Sequence, residues 1–181
     1  MRKLLFSMIL IACAASFSFA QGSDEYNKFE VYGGYSHARV DLGGGDREGF
    51  NGFEAAVTGN ISRYFGLKGD YAYHRKTFTD AGISVRAQTH TFVGGIQIKD
   101  NSTETKFKPF VHAMFGGTNA KATALGFTDS STGFAGVFGG GLDVRASRHF
   151  DIRVVQADYV PTRLEGEWQH NFHVGVGIVI H

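Results

Sequence analysis

Histidines, carboxylates and a few hydroxyls are the residues of this chain that could do chemistry. There are eight histidines. Four of them, His74, His90, His112 and His173, fall in strand-like stretches with polar neighbours and could converge on a metal ion. They come from four separate stretches, however, and none shows a paired-ligand spacing such as His-x₃-His. The predicted role is polar filling, because neutral imidazole both donates and accepts hydrogen bonds; no metal site and no cofactor is expected. Serine-based catalysis requires nucleophile and base on one face. On a strand that means two residues apart, and no histidine here is followed at that spacing by serine. Ser36 and His37 are neighbours and point to opposite faces, so no catalytic residue is assigned. The glycine clusters Gly33-Gly34, Gly94-Gly95, Gly116-Gly117 and Gly139–Gly141 imitate phosphate loops, but no Gly-x-Gly-x-x-Gly leads into a helix. Glycine within a strand marks a bend, a bulge or a close backbone approach.

What remains is the elements that position these groups. Arg2 and Lys3, the apolar run Leu4 to Ala15 and the small residues Ser18 and Ala20 read as a secretory signal peptide over 1–20, with the mature domain at 21–181. Cys13 lies inside that segment, so the mature chain carries no disulfide. Without Arg2 and Lys3, 16 basic residues face 17 acidic ones. That near-balance gives no electrostatic footprint for nucleic acid. Twenty-five glycines and only two prolines suit strands better than helices. No later segment has the ~18 uncharged apolar residues of a spanning helix.

Turn-rich gaps divide the mature chain into eight stretches, at 28–40, 50–61, 65–76, 84–99, 106–120, 132–146, 149–161 and 169–180. Short connections ("SRYF", "ASRHF") interleave with longer polar ones ("DLGGGDREG", "TFTDAG", "KATALGFTDSS", "TRLEGEWQ"). The arrangement expected is all-β, an eight-stranded antiparallel up-and-down transmembrane barrel with four outer loops. Along the last stretch Phe172, Val174, Val176, Ile178 and Ile180 form one apolar face, opposed by Asn171, His173 and glycines. In a water-soluble carrier the bulky face would turn inward, whereas in lipid it turns outward. An eight-stranded lumen is only wide enough for side chains to fill, and small residues with occasional long polar ones fit it. Lipid is therefore expected at 172, 174, 176, 178 and 180. The interior polar set is expected to be Glu30, Glu54, Lys68, Asp70, His74, Arg86, His90, His112, Asp143, Arg145, Arg153, Asp158 and His173. Two strands break alternation, at Val154-Val155 and at Gly94-Gly95. A β-bulge at each would restore one polar face, or else Gln97 and Lys99 sit at the rim. Tyr64, Tyr71, Tyr73, Tyr159 and Trp168 suit interfacial girdles.

The stretches "KPFVHAMFGG" (Lys108 to Gly117) and "GGGLDVRASRHFDIRVVQADYVPTR" (Gly139 to Arg163), and more loosely "GFEAAVTGNISRYFGLKGDYAY", resemble small bacterial outer-membrane β-barrel proteins of the OmpA-type transmembrane fold. The resemblance implies a barrel in the bacterial outer membrane, with membrane lipid and the outer-membrane assembly machinery as its partners. It implies no shared enzymatic activity. The function expected is structural or interaction-type, carried by a monomer with a closed polar interior. A soluble lipocalin-like periplasmic carrier and a lipid-modifying enzyme are the alternatives.

Overall fold

The structure is a computed structural model that describes residues 26–41, 47–80, 83–164 and 166–181. Its strands, in chain order, are β1 (Phe29–Asp41), β2 (Arg47–Asn60), β3 (Phe65–Asp80), β4 (Ile83–Lys99), β5 (Phe107–Ala124), β6 (Phe127–Arg145), β7 (Phe150–Leu164) and β8 (Glu167–Ile180). Each pairs antiparallel with the next, and β8 pairs with β1 to close the barrel. Closure leaves no unpaired edge, the condition a sheet must meet to stand in hydrocarbon. The signal peptide expected over 1–20 lies outside the described residues.

One end of the barrel carries the described N-terminal residues and His181, and is called here the terminal end. Two of its turns use the same device. In the first, Phe65 O accepts from Ile61 N and Ser62 N, and in the second Phe150 O accepts from Ala146 N and Ser147 N. The Ser62 and Ser147 hydroxyls accept from the backbone N–H groups two and three residues on. The third turn is organised by Asp100, which accepts from Arg63 Nε at 2.9 Å, from Thr105 Oγ1 at 2.8 Å and from Ser102 N at 3.2 Å. These bonds, Arg63's first among them, hold its carboxyl down to about 2. Because that value lies below the unfolded one near ~4, the pair's contribution is complete above that pH and is lost as pH falls toward 2.

The far end differs from the sequence expectation. Three of the four connections expected there as longer loops are largely strand. Pairing continues through Phe78↔Val85 and Thr79↔Ser84, and through Thr123↔Thr128 to Ala124↔Phe127. Leu125 (φ 50°) and Gly126 (φ 84°) then turn the chain in two residues. Two successive positive φ values are the signature of the hairpin turn whose twist matches its strands. Threonine keeps these extensions in strand geometry, while the lack of an apolar face removes the alternation that would reveal them.

The two breaks in alternation resolve differently. In β7, Asp151, Arg153, Gln156 and Asp158 are all buried. Val154 and Val155 both face outward, and the register slips between Arg153 and Gln156 against β8 and between Leu142 and Asp143 against β6. This is a β-bulge. β4 has none: its pairing to β3 and β5 runs unbroken through Gly94 and Gly95. Phe92, Ile96 and Ile98 take the outer face, and Gln97 and Lys99 lie inside with 1% exposure each.

The bulge gives a direct test. Deleting Val155 makes both slipped registers one-to-one and keeps Arg153 and Gln156 inward, whereas deleting Ala157 turns Asp158 into lipid. After refolding in detergent, the first deletion should keep the fast, unheated gel migration of a closed barrel and the second should lose it.

Candidate functional site

The lumen is where the charged residues meet, because alternation along eight strands sends one face of each into a space wide enough only for side chains. Arg153 is its centre. The guanidinium, 2% exposed, makes a fork with Asp143, Nε to Oδ1 at 2.8 Å and Nη2 to Oδ2 at 3.1 Å. The rings of Tyr32 and Phe110 each have their centroid 4.1 Å from Arg153 Cζ. Planar donors matched to a carboxylate and flanked by aromatic faces suit arginine and not lysine. The backbone leaves room for this stack. A Cβ on Gly34 would come within 2.5 Å of the Tyr32 hydroxyl, and one on Gly177 within 2.7 Å of its ring.

From Arg153 the contacts spread both ways. Toward the terminal end, Lys99 Nζ lies 3.1 Å from Asp143 and 2.6 Å from Glu30, while Lys108 Nζ lies 3.0 Å from Asp151. His181 joins the two groups, 3.1 Å from Asp151 and 3.7 Å from Glu30. Toward the far end, Arg153 Nη1 donates to Gln156 Oε1 at 2.7 Å. Gln156 Nε2 in turn donates to Glu54 and Asp158. His112 Nε2 donates to Asp158 at 2.9 Å, which leaves its Nδ1 to accept from Lys68 at 3.5 Å. Lys68 also sits 3.0 Å from Asp70 and 3.8 Å from Glu54. Six carboxylates (Glu30, Glu54, Asp70, Asp143, Asp151, Asp158) thus face four lysine or arginine cations, with two histidines on the carboxylates between them.

Next along the axis, His74 and His173 pack with ring centroids 4.5 Å apart, and His74 Nε2 lies 2.9 Å from the Ser36 hydroxyl. Above them the lumen opens into a cup of about 250 Å³, lined mainly by small and apolar side chains such as Phe50, Val160, Leu164, Ala87 and Ala120. Among the described residues no group of three or more His, Cys, Asp or Glu is arranged to hold a metal ion.

The structure places Glu30, Glu54, Lys68, Asp70, His74, His112, Asp143, Arg153, Asp158 and His173 in the lumen. Arg145 has the same inward phase but only half burial, and lies at the terminal rim beside Lys108 and Asp151. Arg86 and His90 were expected inside and are not. Both share the outer phase of Phe92, Ile96 and Ile98; Arg86 is exposed, and His90 packs against Tyr71 and Tyr73, its Nδ1 3.0 Å from the Tyr71 hydroxyl. The strand is continuous, so its polar set simply changes sides. Sequence reading missed Lys99, Lys108, Asp151, Gln156 and His181 as network members. For Lys99 the signal was present, since Phe92, Ile96 and Ile98 fix the outer phase. Phe107, Val111 and Phe115 do the same for Lys108, all three being more than half exposed. Phe172, Val174, Val176, Ile178 and Ile180 are 41–55% exposed on the outer wall, and a water-soluble carrier would reverse that face.

A closed eight-stranded barrel with an apolar outer wall and a charge-filled lumen is the architecture by which strands cross an outer membrane. The sequence points the same way: residues 8–179 match the outer membrane protein beta-barrel domain, and the chain belongs to that family. Among solved structures it is similar to Neisserial surface protein A, at 12% identity and TM-score 0.66 over 87% of this chain and 99% of that one. It is also similar to Ail, the attachment invasion locus protein of Yersinia pestis (20% identity, TM-score 0.58, 83% and 97%). A third is the N-terminal barrel domain of Pseudomonas aeruginosa OprF (12%, 0.53, 85% and 98%). These likenesses carry the fold. No curated protein sequence matches the chain.

Removing the central cation leaves buried Asp143 with Lys99 alone, a lysine it shares with Glu30. Arg153→Ala should cost about 3–5 kcal/mol in urea unfolding of the refolded barrel, while Arg148→Ala, in an exposed turn, should stay within ~0.5 kcal/mol. Adding Asp143→Asn to Arg153→Ala should restore part of the loss.

Proposed function

We propose that this protein is a non-catalytic, closed scaffold of the bacterial outer membrane that presents rigid hairpins to the outside. The observation that carries the closed half is the unbroken chain of contacts from His181 to Asp70 through Arg153, whose lysine and arginine members are at most 3% exposed. Opposite charges locked in pairs fill the section; a conducting lumen would keep them in water. The apolar cup ends on this layer instead of passing through it.

The interaction half is supported by the β5–β6 hairpin. At its tip Leu125 and Phe127 are 76% and 82% exposed, far along the barrel from the outer wall's apolar belt. Apolar side chains held out in water on an ordered turn suit contact with another macromolecule. In this reading the belt, with Phe172, Val174, Val176, Ile178 and Ile180, touches lipid, and the terminal end faces the periplasm.

Two measurements check the reading. The purified protein in a planar bilayer should show no stable conductance, and large wild-type channels would replace the scaffold by a transport role. An epitope inserted after Gly126 should be labelled on intact cells and one after Ser102 only after permeabilisation. The reverse pattern would invert the topology.

A further inference from the structure

The outer wall carries a second charged feature that the lumen does not explain. Arg39, Arg75 and Arg86 all point outward and are exposed. Arg39 has the phase of Val31 and Tyr35, Arg75 that of Tyr71 and Tyr73, and Arg86 that of Phe92 and Ile96. Their height follows from the register. Tyr35↔Phe53, Phe53↔Tyr73 and Tyr73↔His90 make a continuous row of rings across β1 to β4. Asn51↔Arg75 and Arg75↔Gln88 form the next outward row toward the far end, Thr77↔Arg86 the one beyond, and Arg39 lies two outward positions past Tyr35. The cations therefore begin where the aromatic row stops, which is the level at which a membrane passes from hydrocarbon to headgroups.

Most of the other cations are engaged within the protein. The four lysine and arginine cations of the lumen network each hold a carboxylate, and Arg63 at the terminal end holds Asp100. Arg47 and Arg163 lie over the rings of Phe172 and Trp168. Among the described side chains, no carboxylate lies within ion-pair distance of Arg39, Arg75 or Arg86; Glu48 feels the charge of Arg39 but is paired with Lys76. Between Arg75 and Arg86 the wall has a shallow recess, also lined by Gly49, Asn51, Lys76 and Thr77. Asn51 Oδ1 is 2.7 Å from the Tyr35 hydroxyl, which donates to it, and 2.8 Å from His37 Nδ1. That fixes the amide and leaves its NH₂ with no protein acceptor among the described residues.

We propose that this patch on β1–β4 binds the phosphate of a lipid in the outer leaflet. Guanidinium forks match phosphate geometry, and the adjoining Asn51 amide adds a neutral donor. The ring row below accepts the lipid's acyl portion, so one molecule meets both surfaces at once. The inference rests on the reading that the far end faces outside, but its test does not depend on insertion direction or on conductance.

The test uses the full chain refolded in neutral detergent and titrated with lipid A, retention being read by native mass spectrometry. The arms are diphosphorylated lipid A, dephosphorylated lipid A, and inorganic phosphate as competitor. Wild type should retain the diphosphorylated lipid well above the stripped one. The triple variant Arg39→Gln, Arg75→Gln, Arg86→Gln should lose roughly ten- to hundredfold in that retention, with unheated gel migration unchanged and binding of the stripped lipid unaltered. A control at the opposite end of the barrel, Arg148→Gln, should bind as wild type. Equal retention by the triple variant, or equal binding of both lipids by wild type, overturns the proposal. Displacement by millimolar phosphate alone would assign the patch to a soluble anion and overturn the lipid source. Should the triple variant misfold, the single change Arg75→Gln must still weaken retention of the phosphorylated lipid.

Discussion

The narrowness of an eight-stranded lumen governs everything else in this molecule. Inward side chains reach the opposite wall, so none can be chosen independently of the others. A long cation such as Arg153 cannot be left to solvent there; it needs a carboxylate in its plane and a surface for each face, which Asp143, Tyr32 and Phe110 supply. Those rings in turn need bare backbone beside them, and glycines at 34, 141 and 177 provide it. At these positions glycine serves volume: a Cβ would run into both the rings and the backbone of the neighbouring strand.

The same constraint explains how charges are sorted along the axis. Near the terminal end acids and bases are interleaved and buried, so each ion is satisfied by protein. Near the far end the lumen holds Phe50, Val160 and small residues around an open cup, where water can satisfy what the walls do not. The charged groups of the two ends thus face different dielectric surroundings. Breaking an ion pair is costly in the first and nearly neutral in the second.

Much of this was legible in the sequence, and the failures have physical causes. The closed barrel follows from period-two alternation, and the Val154-Val155 slip announces itself because two pairs of polar residues fall in opposite phases. In β4 the same reasoning went astray by giving weight to Arg86 and His90. Arg86 lies beyond the girdle and His90 within it, bonded to the Tyr71 hydroxyl, so both can face outward, whereas Phe92, Ile96 and Ile98 cannot face inward, since they would fill a lumen that has no room. The apolar phase is the reliable one. The strand extensions at the far end were hidden for a related reason: Thr123, Thr128 and their neighbours stand in water on both faces, and a strand with no buried side leaves no periodic trace. The interior partners are a third case. Phase places Lys99 and Asp143 inside, but that they meet depends on register and tilt across several strands, which one chain does not state.

The two-residue tip at Leu125 and Gly126 bears on how quickly a surface of this kind can change over generations. A loop that recognises by its own fold must conserve many positions at once. Here the β5–β6 ladder fixes the direction of the tip through backbone pairing alone, whatever side chains it carries. Leu125 and Gly126, both at positive φ, are the residues tied to the turn by conformation. Phe127 can therefore be exchanged without disturbing the wall below, and Leu125 for any residue that accepts the left-handed region, so the contact surface is free to drift while the barrel that carries it stays the same.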